Sequence, residues 1–312
     1  MVAYSPSNIH QKPRLQIEPT TRCVLGCPAC SRTVFSKTLK RPYPKYDQNV
    51  DDLYQFLDCE KGHEIKTLSL CGDHGDSIYY PNLFDMIDRF RYKDLELYTA
   101  GSHQSRVFWD KLANKMTDQD VVFFSIDGLK DTNHLYRINS DWDSIMLGLD
   151  IMTNSPARII WDLNVFSFNE HELSNIKDFA NSKGAEFRCK KTPRHGSDSL
   201  IPSDTTYIDT SAMYNKLLYK DISITPKCSE EHQISAMGYY WPCGYIQYPF
   251  TLYKSKVWKE RDQWQIKGQT LDQVSTKLLS WKQEIANNPQ DAESICKMKC
   301  KTNQESIYVV DI

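Results

Sequence analysis

Between Leu15 and Lys191 the chain alternates two patterns. Short β-rich runs read as strands: Leu15 to Pro19, Ile65 to Cys71, Leu95 to Thr99, Val121 to Ile126, Ile159 to Val165 and Glu186 to Lys190. Longer stretches with a helical pattern lie between them: Val50 to Cys59, Pro81 to Phe90, Ser105 to Met116, Trp142 to Met152 and Glu170 to Lys183. Six strands separated by helices predict a parallel sheet, because parallel neighbours need crossover connections.

These units use about 180 residues, against roughly 250 for a closed eight-unit barrel. The prediction is therefore an α/β fold, a partial TIM-like (β/α)6 barrel, with its chemistry in the loops at the strand C-terminal ends. The unusual polar residues fall in those loops: Arg22 to Arg32 after the first strand, Gly72 to Asp76 after the second, Thr99 to Ser102 after the third and Asp127 to Gly128 after the fourth.

Thr192 to Thr206 is rich in Ser, Pro, Asp and Thr and reads as a connection. A boundary near Ser203 divides a barrel, residues 1–203, from a second domain, residues 204–312. In the latter, Gln233 to Ile246 alternates and turns at Met237-Gly238, predicting a hairpin, and Leu271 to Ala286 has the pattern of an amphipathic helix.

The 312 residues include 38 basic and 40 acidic side chains, a net charge of -2, so the broad attraction that draws proteins to nucleic acid is absent. No stretch approaches the roughly 20 apolar residues of a membrane helix, and the first residues are polar; a cytoplasmic protein with no membrane association is expected. In that compartment thiols stay reduced. The ten cysteines then point to metal binding or catalysis rather than to a disulfide framework.

Cys23, Cys27 and Cys30 form C-x3-C-x2-C directly after the first strand. Three thiolates on a short loop hold three irons of a [4Fe-4S] cube and leave the fourth iron open, whereas structural zinc takes four closed ligands and would need another, such as His74. In its barrel setting this motif resembles that of the radical S-adenosylmethionine (SAM) superfamily. The resemblance implies that SAM chelates the open iron through its amino and carboxylate groups. One electron then cleaves its carbon-sulfur bond, giving a 5'-deoxyadenosyl radical that takes hydrogen from a substrate.

Further motifs carry the resemblance. Gly72-Asp73-His74-Gly75-Asp76 resembles the family's glycine-rich acidic motif, which implies that Gly75 and Asp76 receive the SAM amino group. Thr99-Ala100-Gly101 resembles a Thr-Asn-Gly that ends the third strand, with Ala100 departing. Ser125-Ile126-Asp127-Gly128 is similar to a fourth-strand motif of members with additional clusters, implying that Ser125 and Asp127 lie near SAM or substrate. Arg137 and Asn164 match positions where relatives touch the SAM ribose or carboxylate, and Arg194 after the sixth strand is a further candidate. Many relatives place an aromatic residue just before the third cysteine to pack on adenine. Here Ala29 stands in that position, so adenine packing must come from elsewhere.

Cys228-x9-Gly238-x4-Cys243 resembles the opening of the SPASM and twitch extensions of the same superfamily, and Cys296-x3-Cys300 follows. The resemblance implies one auxiliary [4Fe-4S] cluster on Cys228, Cys243, Cys296 and Cys300, with structural zinc as the other reading of four thiolates. Cys59, Cys71 and Cys189 read as small buried hydrophobes, and His74 and His171 as surface or turn residues.

Taken together the expectation is a radical SAM enzyme with two [4Fe-4S] clusters, acting on a small-molecule or peptide substrate and reduced by a donor such as flavodoxin or ferredoxin. The short segment before the first strand leans toward a small molecule or nucleotide. Alternatives are a nucleotide- or nucleobase-modifying radical SAM enzyme and, outside enzymes, a zinc-stabilised binding module.

Overall fold

The structure, a computed structural model, describes residues 13–192, 195, 197–208, 223–226, 228, 232–247 and 252–300. Eight strands form one sheet: β1 (Arg14–Ile17), β2 (Thr67–Leu70), β3 (Asp94–Thr99), β4 (Val121–Phe124), β5 (Arg158–Asn164), β6 (Glu186–Lys190), β7 (His232–Ile234) and β8 (Tyr240–Trp241). The spatial order is β6-β5-β4-β3-β2-β1-β7-β8. All neighbours are parallel except β7 and β8. The six predicted strands thus run in chain order as the barrel reading requires, and the sheet ends at two edges rather than closing.

Between the strands lie α1 (Ser31–Leu39), α2 (Val50–Leu57), α3 (Glu60–Glu64), α4 (Leu83–Arg89), α5 (Arg106–Ala113), α6 (Trp142–Met152) and α7 (Leu173–Ser182). Several start where a side chain takes up a free backbone N–H of the first turn: Asn49 accepts from Asp52 N, Ser105 from Phe108 N and Asp141 from Ser144 N. Helices α1 and α3 escape the periodicity reading because each carries few apolar residues. The helix Leu271–Asn287 is close to its predicted span and opens with a capping box between Thr270 and Gln273.

Alternation along the strands sorts the residues into two faces. Leu15 and Ile17, Leu68 and Leu70, Leu95 and Leu97, Val122 and Phe124, and Ile159, Trp161 and Leu163 belong to the main apolar core with the helices. Ser69, Glu96, Tyr98, Phe123, Asp162 and Arg188 point to the opposite, inner face. There Arg14 pairs with Glu96 at 3.3 Å, and Arg188 donates to Asp162 at 2.6 Å, with Lys190 on the same carboxylate. A polar inner face is uncommon for parallel strands, which are usually apolar on both sides. Here Tyr98 and Lys190 of that face line a chamber.

The predicted hairpin is β7-β8. Gly238 turns it at φ +77°, donating its N–H to Ser235 O at 2.9 Å, a left-handed conformation that glycine adopts without a Cβ penalty. β7 then pairs with β1, Ile17 opposite Ile234, so the hairpin extends the barrel sheet on the side away from β2.

Leu97 is 1% exposed at the centre of the sheet, and Val107 on α5 is 76% exposed. Leu97→Ala is expected to lower unfolding free energy by about 2–5 kcal/mol. Val107→Ala should change it by less than about 0.5 kcal/mol. Urea denaturation of the two variants against the parent checks both.

Candidate active site

The loop after β1 carries Cys23, Cys27 and Cys30 to the C-terminal ends of the strands and is pinned from three sides. Gly26 N donates to Ile138 O at 2.9 Å, in the loop after β4. Asp76 N donates to Arg22 O at 2.9 Å, from the loop after β2. Arg32 bridges the same two loops, donating through Nε to His74 O at 3.1 Å and through Nη2 to Leu25 O. At Gly75 a Cβ would stand 1.8 Å from Thr20 O, so only glycine lets the β2 loop press against the backbone leading into the cysteines. Cys30 itself occupies the N-cap position of α1.

These contacts enclose a cavity of about 340 Å³. All three cysteines line it, as do Gly75, Asp76, Ser125, Arg137 and Asn164, which come from three further strand ends, those of β2, β4 and β5. The thiols are free. Burial, then the charge of Asp76, pushes the Cys23 thiol up to about 12, and burial raises Cys27 despite Arg137 nearby. Such thiols hold their protons until a metal displaces them, which is how thiolate ligation proceeds. Among the described residues no three His, Cys, Asp or Glu side chains converge as the ligands of one ion do. The cysteines of a four-iron cube each bind a different iron and stand further apart. The donor set, the pinned loop and the adjoining chamber fit such a cube.

Asp76 reaches across to the end of β3, where its carboxylate accepts from Ala100 N at 2.8 Å and from Ile78 N at 3.2 Å. Burial raises its pKa, and these hydrogen bonds oppose the rise. Asp127 does not line the cavity. It sits fully buried behind Arg137 and Asn164, accepting from Arg137 Nε at 2.6 Å, Asn164 N at 2.8 Å and Asn164 Nδ2 at 3.2 Å. Burial by itself lowers the Arg137 pKa, but the Asp127 charge outweighs it and the guanidinium stays cationic. Asp127 is thus a positioning residue for two groups that face the chamber. Arg194 lies outside the described residues.

Four cavity residues carry roles that the sequence did not reveal. Cys71, read as a buried hydrophobe, lines the chamber at the end of β2. Tyr136 stacks on Phe166 at 4.2 Å and forms an apolar patch with Leu25, Cys27 and Ala100, against which Ala29 packs. Lys190 ends the inner face of β6 within the cavity. His74, expected at a surface or turn, is 6% exposed and paired to Glu18. Glu18 Oε1 accepts from His74 N at 2.7 Å and lies 3.1 Å from His74 Nδ1, while Tyr43 stacks on the imidazole at 4.7 Å. Glu18 Oε2 accepts from Ala236 N at 3.4 Å, tying the hairpin to the same point. Neither a repeat nor a spacing announces a partner 56 residues away.

Of the tail cysteines, Cys228, Cys296 and Cys300 are buried and Cys243 is half-buried. Burial raises Cys228 to about 12, followed by the charges of Cys243 and Cys300; burial raises Cys296 too, followed by Cys228, Cys243 and Cys300. The four sulfurs therefore lie within electrostatic reach of one another. Cys189 belongs to the core and Cys59 packs against it, as expected.

The chain matches no protein-family model and no curated protein. Its fold is similar to that of Streptococcus suis SuiB bound to S-adenosylmethionine, at 14% identity and TM-score 0.54, covering 76% of this chain and 61% of SuiB. SuiB bound to precursor peptide SuiA gives 14% identity and TM-score 0.55 over 81% of this chain and 64% of that one. Histidine-tagged anSMEcpe with bound AdoMet gives 12% identity and TM-score 0.50, covering 80% and 82%. The fold they share with this chain is the α/β partial barrel described above. The chain spans about three fifths of the SuiB length. At such identities the likeness is one of fold.

Burial alone raises the Glu18 pKa, but the charge and hydrogen bonds of His74 outweigh it and hold the carboxylate below its ordinary 4.5. A lowered folded pKa contributes stability that is complete above the unfolded value and disappears as the pH falls through the folded one. Glu18→Gln should therefore flatten the acid limb of the stability curve below about pH 4.5, measured by denaturation across a pH series.

Proposed function

We propose that this chain is a radical SAM enzyme whose cofactor chamber is the cavity at the strand C-terminal ends. The observation that carries the reading is the meeting, in one chamber, of Cys23, Cys27 and Cys30 with Gly75, Asp76, Ser125, Arg137 and Asn164. The fold shared with AdoMet-bound SuiB and anSMEcpe supports it. In this reading the three cysteines hold a [4Fe-4S] cluster, which when bound supplies the electron that cleaves SAM to methionine and a 5'-deoxyadenosyl radical.

The chain's own residues then position SAM. The backbone around Gly75 and the Asp76 carboxylate take the amino group, since an acid complements an ammonium. Arg137, held cationic by Asp127, takes the carboxylate, and Asn164 and Ser125 take ribose hydroxyls. The Tyr136 patch provides the apolar surface for adenine that Ala29 does not. Arg194 remains a candidate for the same ligand.

Residues 204–312 constitute, in the same reading, an auxiliary domain with a second [4Fe-4S] cluster on Cys228, Cys243, Cys296 and Cys300, serving electron transfer or support. The substrate is a small molecule or a peptide; SuiB bound to precursor peptide SuiA favours keeping the peptide class. A cytoplasmic setting, where thiols stay reduced, belongs to the same reading; no helix among the described residues is long and apolar enough to cross a membrane.

Anaerobic reconstitution should give a brown protein with about eight irons, an electron paramagnetic resonance signal that changes on adding SAM, and 5'-deoxyadenosine on reduction. Cys27→Ala should lose the SAM-dependent change and keep about four irons. Cys296→Ala should also drop to about four irons but retain the change. A colourless protein loaded with zinc would replace the proposal with the binding-module reading.

Asp127→Asn removes the charge behind Arg137 while keeping its shape. SAM affinity is expected to fall about 10- to 100-fold with iron content unaltered, as read by SAM titration of the reconstituted protein.

A further inference from the structure

Glu18, just after β1, is a carboxylate only 3% exposed, and its two oxygens are divided between distant parts of the chain. Oε1 accepts from His74 N at 2.7 Å, in the loop that lines the chamber, and Oε2 accepts from Ala236 N at 3.4 Å, where the β7-β8 hairpin begins its turn. The backbone adds to the second tie: Glu18 N donates to Ile234 O at 2.8 Å. A buried carboxylate is costly when either oxygen loses its donor, so a shift of the hairpin is felt at His74.

A second tie reaches the same residue from the C-terminal segment. Tyr43 stacks on the His74 ring at 4.7 Å, and its hydroxyl hydrogen-bonds that of Tyr253. Tyr253 meets Trp258 edge-on at 4.7 Å. Trp258 lies on the short helix Lys256–Lys259, whose first N–H is taken by Glu293 Oε1, and Glu293 stands at the start of helix Ser294–Lys299, which carries Cys296. Both ties therefore end on His74, whose carbonyl also accepts from Arg32 at 3.1 Å. Gly75 and Asp76 follow directly.

We infer that residues 232–300 set the affinity for SAM through Glu18 and Tyr43, which are positioning residues for the chamber loop 72–76. This rests on the radical SAM reading above. With the hairpin and the Cys296 helix in place, the loop is held where Gly75 and Asp76 meet the SAM amino group. When the tail loosens, Glu18 and Tyr43 lose their outer partners and the loop shifts with His74. Such coupling is reciprocal, so bound SAM steadies the tail in turn.

The test titrates SAM into the full reconstituted protein and reads the electron paramagnetic resonance change. Glu18→Gln keeps the shape but leaves a single acceptor oxygen for two donors, and SAM affinity is expected to fall about 10-fold. An analogue of SAM without the amino group, measured by competition, should lose about 2-fold or less, because the loop serves the ammonium. A merely structural role would weaken both ligands alike and overturn the inference. Cys296→Ala alone should weaken SAM about 5-fold, but less than about 2-fold once Glu18→Gln and Tyr253→Phe are present, since changes within one network do not add. Effects that multiply in full, or a Glu18→Gln protein with the parent's affinity, also overturn it. Tyr253→Phe removes one hydroxyl and leaves the backbone contacts, so if Glu18→Gln fails to fold, Tyr253→Phe paired with Cys296→Ala decides by the same criterion. A parent whose spectrum ignores SAM would remove the radical SAM reading itself, and the coupling with it.

Discussion

The chamber exists because two stretches of backbone touch. Gly75 in the loop after β2 lies so close to the Thr20 carbonyl that no side chain fits between them. That approach, secured by Arg32 across the Leu25 and His74 carbonyls, fixes the cysteine loop relative to Asp76. Asp76 in turn grips the end of β3 through Ala100 N. A shift of either loop would move the thiols and the carboxylate apart together. The contact therefore sets the placement of the three thiols and of the Asp76 carboxylate at once.

Behind this contact the inner face of the sheet replaces an apolar core with paired charges. Asp162 is shared by Arg188 and Lys190, Glu96 faces Arg14, and Asp127 faces Arg137. Burial raises the Asp162 pKa, but its two cations outweigh burial and hold it low. Buried pairs of this kind cost desolvation and add little net stability, so their worth lies in holding side chains at fixed positions. The helix-facing side of the same strands, all Leu, Ile, Val, Phe and Trp, contributes the stability.

Much of this was legible in the sequence because it is local. Strand and helix periods are set by near neighbours, and C-x3-C-x2-C and Gly72 to Asp76 are contiguous. Trp142–Met152 and Glu186–Lys190 coincide with their predicted spans. What stayed hidden is pairing between distant segments. Glu18 and His74, Asp127 beneath Arg137, and Cys71 facing the chamber rather than the core are decided by how strands align. The pattern for β7 predicted a hairpin but not that it would lie beside β1. Helix α1 was hidden for a different reason: its polar surface belongs to solvent, so its period is faint.

β1 has partners on both flanks, β2 on one and β7 on the other. The second becomes available only once the ribosome has travelled from Ile17 to Ile234. At about 5–20 residues per second that takes roughly ten to forty seconds. During synthesis the strand leading into the cysteine loop thus waits with a bare edge, and Glu18 lacks its hydrogen bond from Ala236. Until then Glu18, which holds His74 in the chamber wall, is fixed from one side only.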